Sequence, residues 1–111
     1  MLTVLGWSGD HYCAIDVLHV LVDNAVEHGH ALTAAGQRLA ACLSVTEAHE
    51  LLVDVTDPNP TFPHFDKAIA GELGHGLGEV ACQGVALSWF VSPEFDGKTV
   101  RAVLRPGPVA Q

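Results

Sequence analysis

Three prolines within residues 57–63 divide this chain of 111 residues near its middle. Proline fixes φ and has no backbone N–H, so neither a helix interior nor a central strand can pass through this segment. We expect a loop that continues to about Gly74. Because long loops inside a compact domain are usually functional, part of a binding site is expected here.

Hydrophobic periodicity predicts the elements on either side of this loop. Before it, Ser8 or Asp10 can cap a helix that ends near Gly29, and residues 38–45 and 51–56 form a hairpin. After it, we expect a helix over 76–88, a strand near 89–91 and a last strand over 99–104. The predicted apolar face of the first helix comprises Ile15, Leu18, Val22, Ala25 and Val26.

This order of elements predicts an α+β fold, a two-layer sandwich in which helices cover one face of a mixed, mostly antiparallel sheet. The length allows one domain, residues 1–104, followed by a flexible tail over 105–111. With 49% hydrophobic and 16% charged residues, the chain has the composition of a globular protein.

Charge and cysteine usage limit the possible partners and location. A net charge of -8 with only five Lys and Arg argues against a nucleic-acid partner. Three widely spaced cysteines favour a reduced, cytoplasmic protein. The first residues lack a basic region and a long apolar stretch, so we expect no signal peptide and no membrane anchor.

Four polar segments carry candidate chemistry. They contain Asn24 on the first helix, Asp57 at a strand end, a glycine cluster before the second long helix, and Thr99 after Gly97. Each segment alone has an ordinary structural explanation, such as an exposed helical Asn, an Asx turn, a helix entry or a hairpin corner. Their succession along the chain is the informative feature.

That succession resembles the GHKL (histidine-kinase-like, Bergerat-fold) ATPase domain, in its anti-sigma-factor and serine-protein-kinase branch. The resemblance runs from about Trp7 to Leu104. It implies that ATP and Mg²⁺ are the cofactors, with Mg²⁺ bound by Asn24 and the adenine amino group bound by Asp57. The nucleotide site implied in this way comprises Asn24, His28, Asp57, Gly74, His75, Gly76, Leu77 and Thr99.

Within that site, the resemblance implies that the glycine-rich lid, with Gly74 and Gly76, holds the phosphates and that Thr99 supports the adenine. The chain departs from the pattern at Val20, where relatives usually place a catalytic Glu one turn before the Asn. A general base contributes about 10²–10⁴-fold in rate, so its loss favours binding over turnover. We therefore predict no catalytic residue.

Three further departures affect binding. Pro58, Asn59 and Pro60 replace glycines beside Asp57 and stiffen the adenine-side loop, and His75 stands where relatives often carry Arg. The segment before the first helix is short, so we expect either that the domain is truncated or that a partner or a second copy covers the exposed sheet edge.

The predicted function is an ATP-binding regulatory protein that binds Mg-ATP and a protein partner such as a sigma factor or an anti-sigma antagonist. One alternative is an active serine/threonine protein kinase of the anti-sigma type. A second alternative is a small metal-binding protein that uses the pair His28 and His30 in a chain with seven histidines.

Overall fold

A computed structural model describes residues 7–26, 39–59, 61–71, 76–91 and 97–106. The helices are α1 (His11–Asn24), α2 (Phe65–Ile69) and α3 (Leu77–Cys82), and the strands are β1 (Ala40–Val45), β2 (Leu51–Asp57), β3 (Ala86–Val91) and β4 (Lys98–Leu104). These four strands form one antiparallel sheet in the order β1-β2-β4-β3.

Burial alternates along the central strand β2, which distinguishes the two faces of the sheet. Leu51, Val53 and Val55 are fully buried, whereas the residues between them are partly exposed. Successive side chains of a strand point to opposite faces, so one face is covered and the other is open. Helix α1 packs against β2 and β4 on the covered face. The predicted α+β two-layer sandwich is confirmed.

Helix α1 begins at the predicted cap. The Asp10 carboxylate accepts a hydrogen bond from the backbone N–H of Cys13 at 3.1 Å, which satisfies one of the free donors of the first turn. The predicted apolar face is partly wrong, because Ile15 and Val26 are 42% and 55% exposed. The buried positions are Ala14, Val17, Leu21 and Ala25. Apolar residues occur on several sides of this helix, so spacing alone does not fix which side faces the sheet.

The second half of the chain differs more from the prediction. Helix α2 lies inside the segment predicted as a loop, and its five residues are too few to produce a visible periodicity. Helix α3 ends at Cys82 instead of Ser88, because Gln83 and Gly84 donate to carbonyls only three residues back and close the last turn. Residues 86–88 accordingly belong to β3.

No helix within the described ranges is long and apolar enough to cross a membrane. Of the predicted tail, residues 105 and 106 follow β4 without regular structure, and the remainder lies outside the described residues.

The contact between α2 and α3 depends on Gly78. A Cβ built on this residue would lie 2.5 Å from Cα and 2.8 Å from the backbone N of Gly71. We expect Gly78→Ala to push the two helices apart and to lower the free energy of unfolding by about 1–3 kcal/mol, the usual cost of overpacking. Chemical denaturation measures this loss. The exposed Cys82→Ala in the same helix is the control and should stay within about 0.5 kcal/mol. Equal stability of the two variants would contradict the close packing.

Candidate functional site

A buried ion pair occupies the covered face of the sheet at the end of β2. Asp57 and Lys98 are directly opposite each other in the register of β2 and β4. Their side chains are only 1% and 3% exposed. Removing two charges from water is costly unless they are paired, so this pair is a strong constraint on the local structure.

The two oxygens of the Asp57 carboxylate are not equivalent. Oδ1 accepts from Lys98 Nζ at 3.0 Å and from the backbone N–H of Asn59 at 2.9 Å. Oδ2 also lies 3.0 Å from Nζ, but it accepts no hydrogen bond from the described part of the chain. A buried carboxylate oxygen without a hydrogen bond is uncommon in a folded protein, and here the ammonium of Lys98 supplies its counter-charge.

The loop after β2 folds back over this pair. Lys98 Nζ donates to the Asn59 carbonyl oxygen at 3.2 Å, and the Phe62 ring lies over the same ammonium with its centroid at 5.4 Å. Phe62 also contacts Phe65 and Trp89, with ring centroids at 4.9 and 6.0 Å. The loop is therefore fixed to the sheet by a cation that is itself fixed by Asp57.

An open depression of about 400 Å³ lies on the outer side of Phe62. Its lining residues are Phe62, His64, Phe65, Asp66, Lys67 and Trp89. Phe62 therefore contributes both to this depression and to the surroundings of the Lys98 ammonium. Aromatic surface beside a Lys and a His suits a planar ligand that carries negative charge.

Gly97 allows β4 to start directly against the end of β2. A Cβ built on Gly97 would overlap the backbone carbonyl oxygen of Asp57 and lie 3.2 Å from Cα of Pro58. No larger residue fits without moving the strand end that carries Asp57. The Gly97-Lys98 step, predicted from sequence as only a hairpin corner, therefore shapes the site.

The predicted phosphate side of the site is partly described. Val20 Cγ1 lies 3.5 Å from the position that a Cβ on Gly76 would take, so the start of α3 approaches α1 at Val20. Asn24 follows Val20 by four residues and therefore lies on the same side of α1. Asp23 is exposed on another side. The structure thus brings the Asn24 side of α1 towards Gly76, in the layer that covers the Asp57 face.

Other predicted site residues are placed differently. Leu77 is 3% exposed and belongs to the hydrophobic core, so its side chain packs against the protein. The Thr99 hydroxyl lies 2.8 Å from that of Thr56, on the face opposite to Asp57 and Lys98. The structure therefore does not bring the Thr99 side chain to Asp57.

His28, Gly74 and His75 lie outside the described residues, as does His30.

A second ion pair joins the same two strands on the open face. Arg101 donates to both oxygens of Asp54, with each N–O distance 2.8 Å. The hydrogen bond to Asp54 raises the pKa of Arg101, and the guanidinium also lies over the Phe90 ring at 5.1 Å. The side chains of Arg101 and Asp54 are 36% and 17% exposed. The pair is a useful comparison for Asp57 and Lys98, because it joins the same two strands but is much more exposed.

No group of three or more His, Cys, Asp or Glu side chains within the described ranges is arranged to hold a metal ion. The three thiols are free, and burial raises the pKa of the Cys13 thiol, as do the nearby charges of Asp10 and Asp16. A raised pKa reduces the thiolate fraction, so Cys13 is poorly suited to act as a nucleophile.

Sequence reasoning missed the two residues that complete the site, Lys98 and Phe62. Lys98 stands beside the predicted Thr99, and only the register with β2 shows that it faces Asp57. A signal for Phe62 was available, because residues 61–67 combine two phenylalanines with a His and a Lys immediately after the proline-rich segment.

No protein-family model, curated protein or solved structure matches the chain.

The two ion pairs should differ sharply in their contribution to stability. Asp57→Asn leaves the Lys98 ammonium buried without a counter-charge, and we expect a loss of about 3–5 kcal/mol in the free energy of unfolding. Asp54→Asn is the matched control on the open face, with an expected loss of about 0.2–1 kcal/mol. Denaturant titration measures both losses.

The double variant Asp57→Asn with Lys98→Met removes both charges and should be less destabilised than the sum of the single variants, by roughly 1–3 kcal/mol. Equal losses for Asp57→Asn and Asp54→Asn would show that burial of the first pair has no energetic consequence.

Proposed function

We propose that this chain is an adenine-nucleotide-binding regulatory domain of the GHKL (histidine-kinase-like) type, which binds Mg-ATP and a protein partner with weak or no catalysis. The observation that carries the proposal is the buried carboxylate of Asp57 at the end of a central strand, where Oδ2 accepts no hydrogen bond although Lys98 Nζ lies 3.0 Å away. An exocyclic amino group is a neutral donor of the size and chemistry that this oxygen lacks.

The surroundings of Asp57 support a planar base. The aromatic depression beside Phe62 offers ring surfaces for stacking, and the same Phe62 ring lies over Lys98, the counter-charge of Asp57. The Asp57 side chain is only 1% exposed, so in this proposal the cover that includes Phe62 moves aside when a base binds. Binding therefore includes the cost of breaking the contacts of Phe62, and a modest affinity is expected.

The Asn24 side of α1 supports the phosphate and metal part of the proposal. Asn24 is partly buried at the end of α1, on the side that approaches Gly76. Mg²⁺ retains several waters and needs few protein ligands, so one amide oxygen together with nucleotide phosphates is a sufficient set. In this role Mg²⁺ would neutralise phosphate charge, and Asn24 would orient it.

Val20 favours binding over phosphoryl transfer. It lies one turn before Asn24, contacts the Gly76 region and packs against the core. A valine side chain cannot accept a proton from an attacking hydroxyl or water. The alternative, an active serine/threonine kinase acting on an anti-sigma antagonist or a similar protein, would need a base from elsewhere. Phosphorylation of a purified partner would favour the kinase, and unmodified binding would favour the regulatory domain.

Nucleotide binding should be detectable by calorimetry with ATP and ADP, with and without Mg²⁺. Because a ligand that binds only the folded state stabilises it, ATP at a hundredfold excess over its Kd should add about 2.7 kcal/mol to the free energy of unfolding. Asp57→Asn should abolish the ATP-dependent increase in Tm, whereas the control Asp54→Asn should retain it. A wild-type protein that shows no shift with millimolar Mg-ATP would exclude the nucleotide role.

Restoring a carboxylate beside Asn24 should restore turnover. We expect Val20→Glu to raise the ATPase rate by about 10²–10⁴-fold, the usual contribution of a general base, with little change in ATP affinity. Val22→Glu is the control, because Val22 is also partly buried but lies on another side of α1. Phosphate release and calorimetry provide the two measurements. An unchanged rate in a folded Val20→Glu protein would show that position 20 is not the position of the base.

A further inference from the structure

We propose that the outer face of α1 is a docking surface for an amphipathic helix of a partner protein, one whose apolar stripe is flanked by Lys and Arg side chains. This outer face comprises Tyr12, Ile15, His19, Val22 and Val26. The inference rests on the protein-binding part of the proposed function, and it requires no bound nucleotide.

The residues of the outer face follow one another at intervals of three and four, which is the spacing of a heptad seam. Such residues form one continuous stripe along a helix, and a second helix can pack along it. Each residue turns the helix by about 100°, so the stripe lies roughly opposite the buried positions Ala14, Val17 and Leu21. The outer face is therefore directed away from the sheet.

Apolar side chains on this face are exposed, although the solvent side of a surface helix is usually polar. Tyr12 is 84% exposed, and Ile15 and Val26 are 42% and 55% exposed. Tyrosine is enriched at the centres of protein interfaces, because its ring provides a large contact area at a low cost in conformational entropy. The Tyr12 ring and the aliphatic side chains beside it are the apolar anchors of this surface.

The charges beside the stripe select a basic partner. Asp16 and Asp23 are exposed. Each follows a residue of the stripe by four positions, so both carboxylates lie along the same side of it. Helix α1 contains no Lys or Arg, and the first such residue of the whole chain is Arg38. Because opposite charges favour association, Lys and Arg beside the stripe of the partner helix complement this surface.

The same charges disfavour other occupants of the outer face. Two copies of α1 packed along their stripes would bring the aspartates of both helices together without a Lys or Arg on either. A nucleic acid or an anionic lipid surface would be repelled by a chain with a net charge of -8. A cationic amphipathic helix meets neither obstacle.

The test uses a synthetic peptide of about three heptads, with Leu at the a and d positions and Lys at the e and g positions. Its binding to the full chain is measured by fluorescence anisotropy. A peptide with Glu in place of Lys tests the charge, and a Lys peptide with scrambled order tests the stripe. We expect the Lys heptad peptide to bind at least about tenfold more tightly than either comparison peptide.

Protein variants locate the contact. The double variant Tyr12→Ala, Ile15→Ala should weaken binding of the Lys heptad peptide by at least about tenfold, and Asp16→Asn should weaken it by roughly two- to fivefold. Val91→Ala removes a comparably exposed apolar side chain from β3, and Glu47→Gln removes an exposed carboxylate from the turn after β1. These two controls should change the Kd by less than roughly twofold. Exposed positions were chosen so that each variant folds.

Equal binding of the three peptides would overturn the docking surface, and so would an unchanged Kd in the Tyr12→Ala, Ile15→Ala protein. A wild-type dimer in sedimentation that this double variant abolishes would also overturn it, because a second copy would then occupy the outer face. Calorimetry with Mg-ATP on the same samples separates this inference from the nucleotide role. A chain that binds ATP but not the Lys heptad peptide overturns the docking surface alone, whereas a chain that binds the peptide but not ATP overturns only the nucleotide part of the proposed function.

Discussion

The rest of the site depends on one buried ion pair. Asp57 and Lys98 face each other across two central strands, in a layer that is otherwise filled by Leu, Val and Ala side chains. Neither charge is tolerable there without the other. The pairing holds the end of β2 against the start of β4. Lys98 also donates to the Asn59 carbonyl oxygen and lies under the Phe62 ring, so it fixes the loop that covers the pair. A stability element and a candidate recognition element are thus the same group of atoms.

This coupling gives the carboxylate an unusual character. Most buried carboxylates have their oxygens satisfied, yet Asp57 has one saturated oxygen and one without a hydrogen bond. The asymmetry arises because the backbone N–H of Asn59 donates to Oδ1, while Lys98 Nζ lies 3.0 Å from both oxygens.

The local features of the fold could be predicted from the sequence, and the non-local ones could not. The Asp10 cap, the hairpin of β1 and β2 and the strand end at Asp57 depend on neighbouring residues, and they are confirmed. The side of α1 that faces the sheet depends on packing, so the assignment of Ile15 to the core was wrong. Thr99 illustrates the limit most clearly. A shift of one residue along a strand changes the face, so only the pairing of β2 with β4 shows that its neighbour Lys98 meets Asp57.

The insertion of β4 between β2 and β3 has a consequence for the order of events during synthesis. Asp57 and its counter-charge are 41 residues apart in the chain, and the strand that carries Lys98 is the last of the sheet to leave the ribosome. Until then the hairpin of β1 and β2 has an open edge and a carboxylate without its cation, because non-local strand pairing comes late. The nascent amino-terminal half therefore remains an unfinished sheet, and the buried ion pair forms only together with the complete fold.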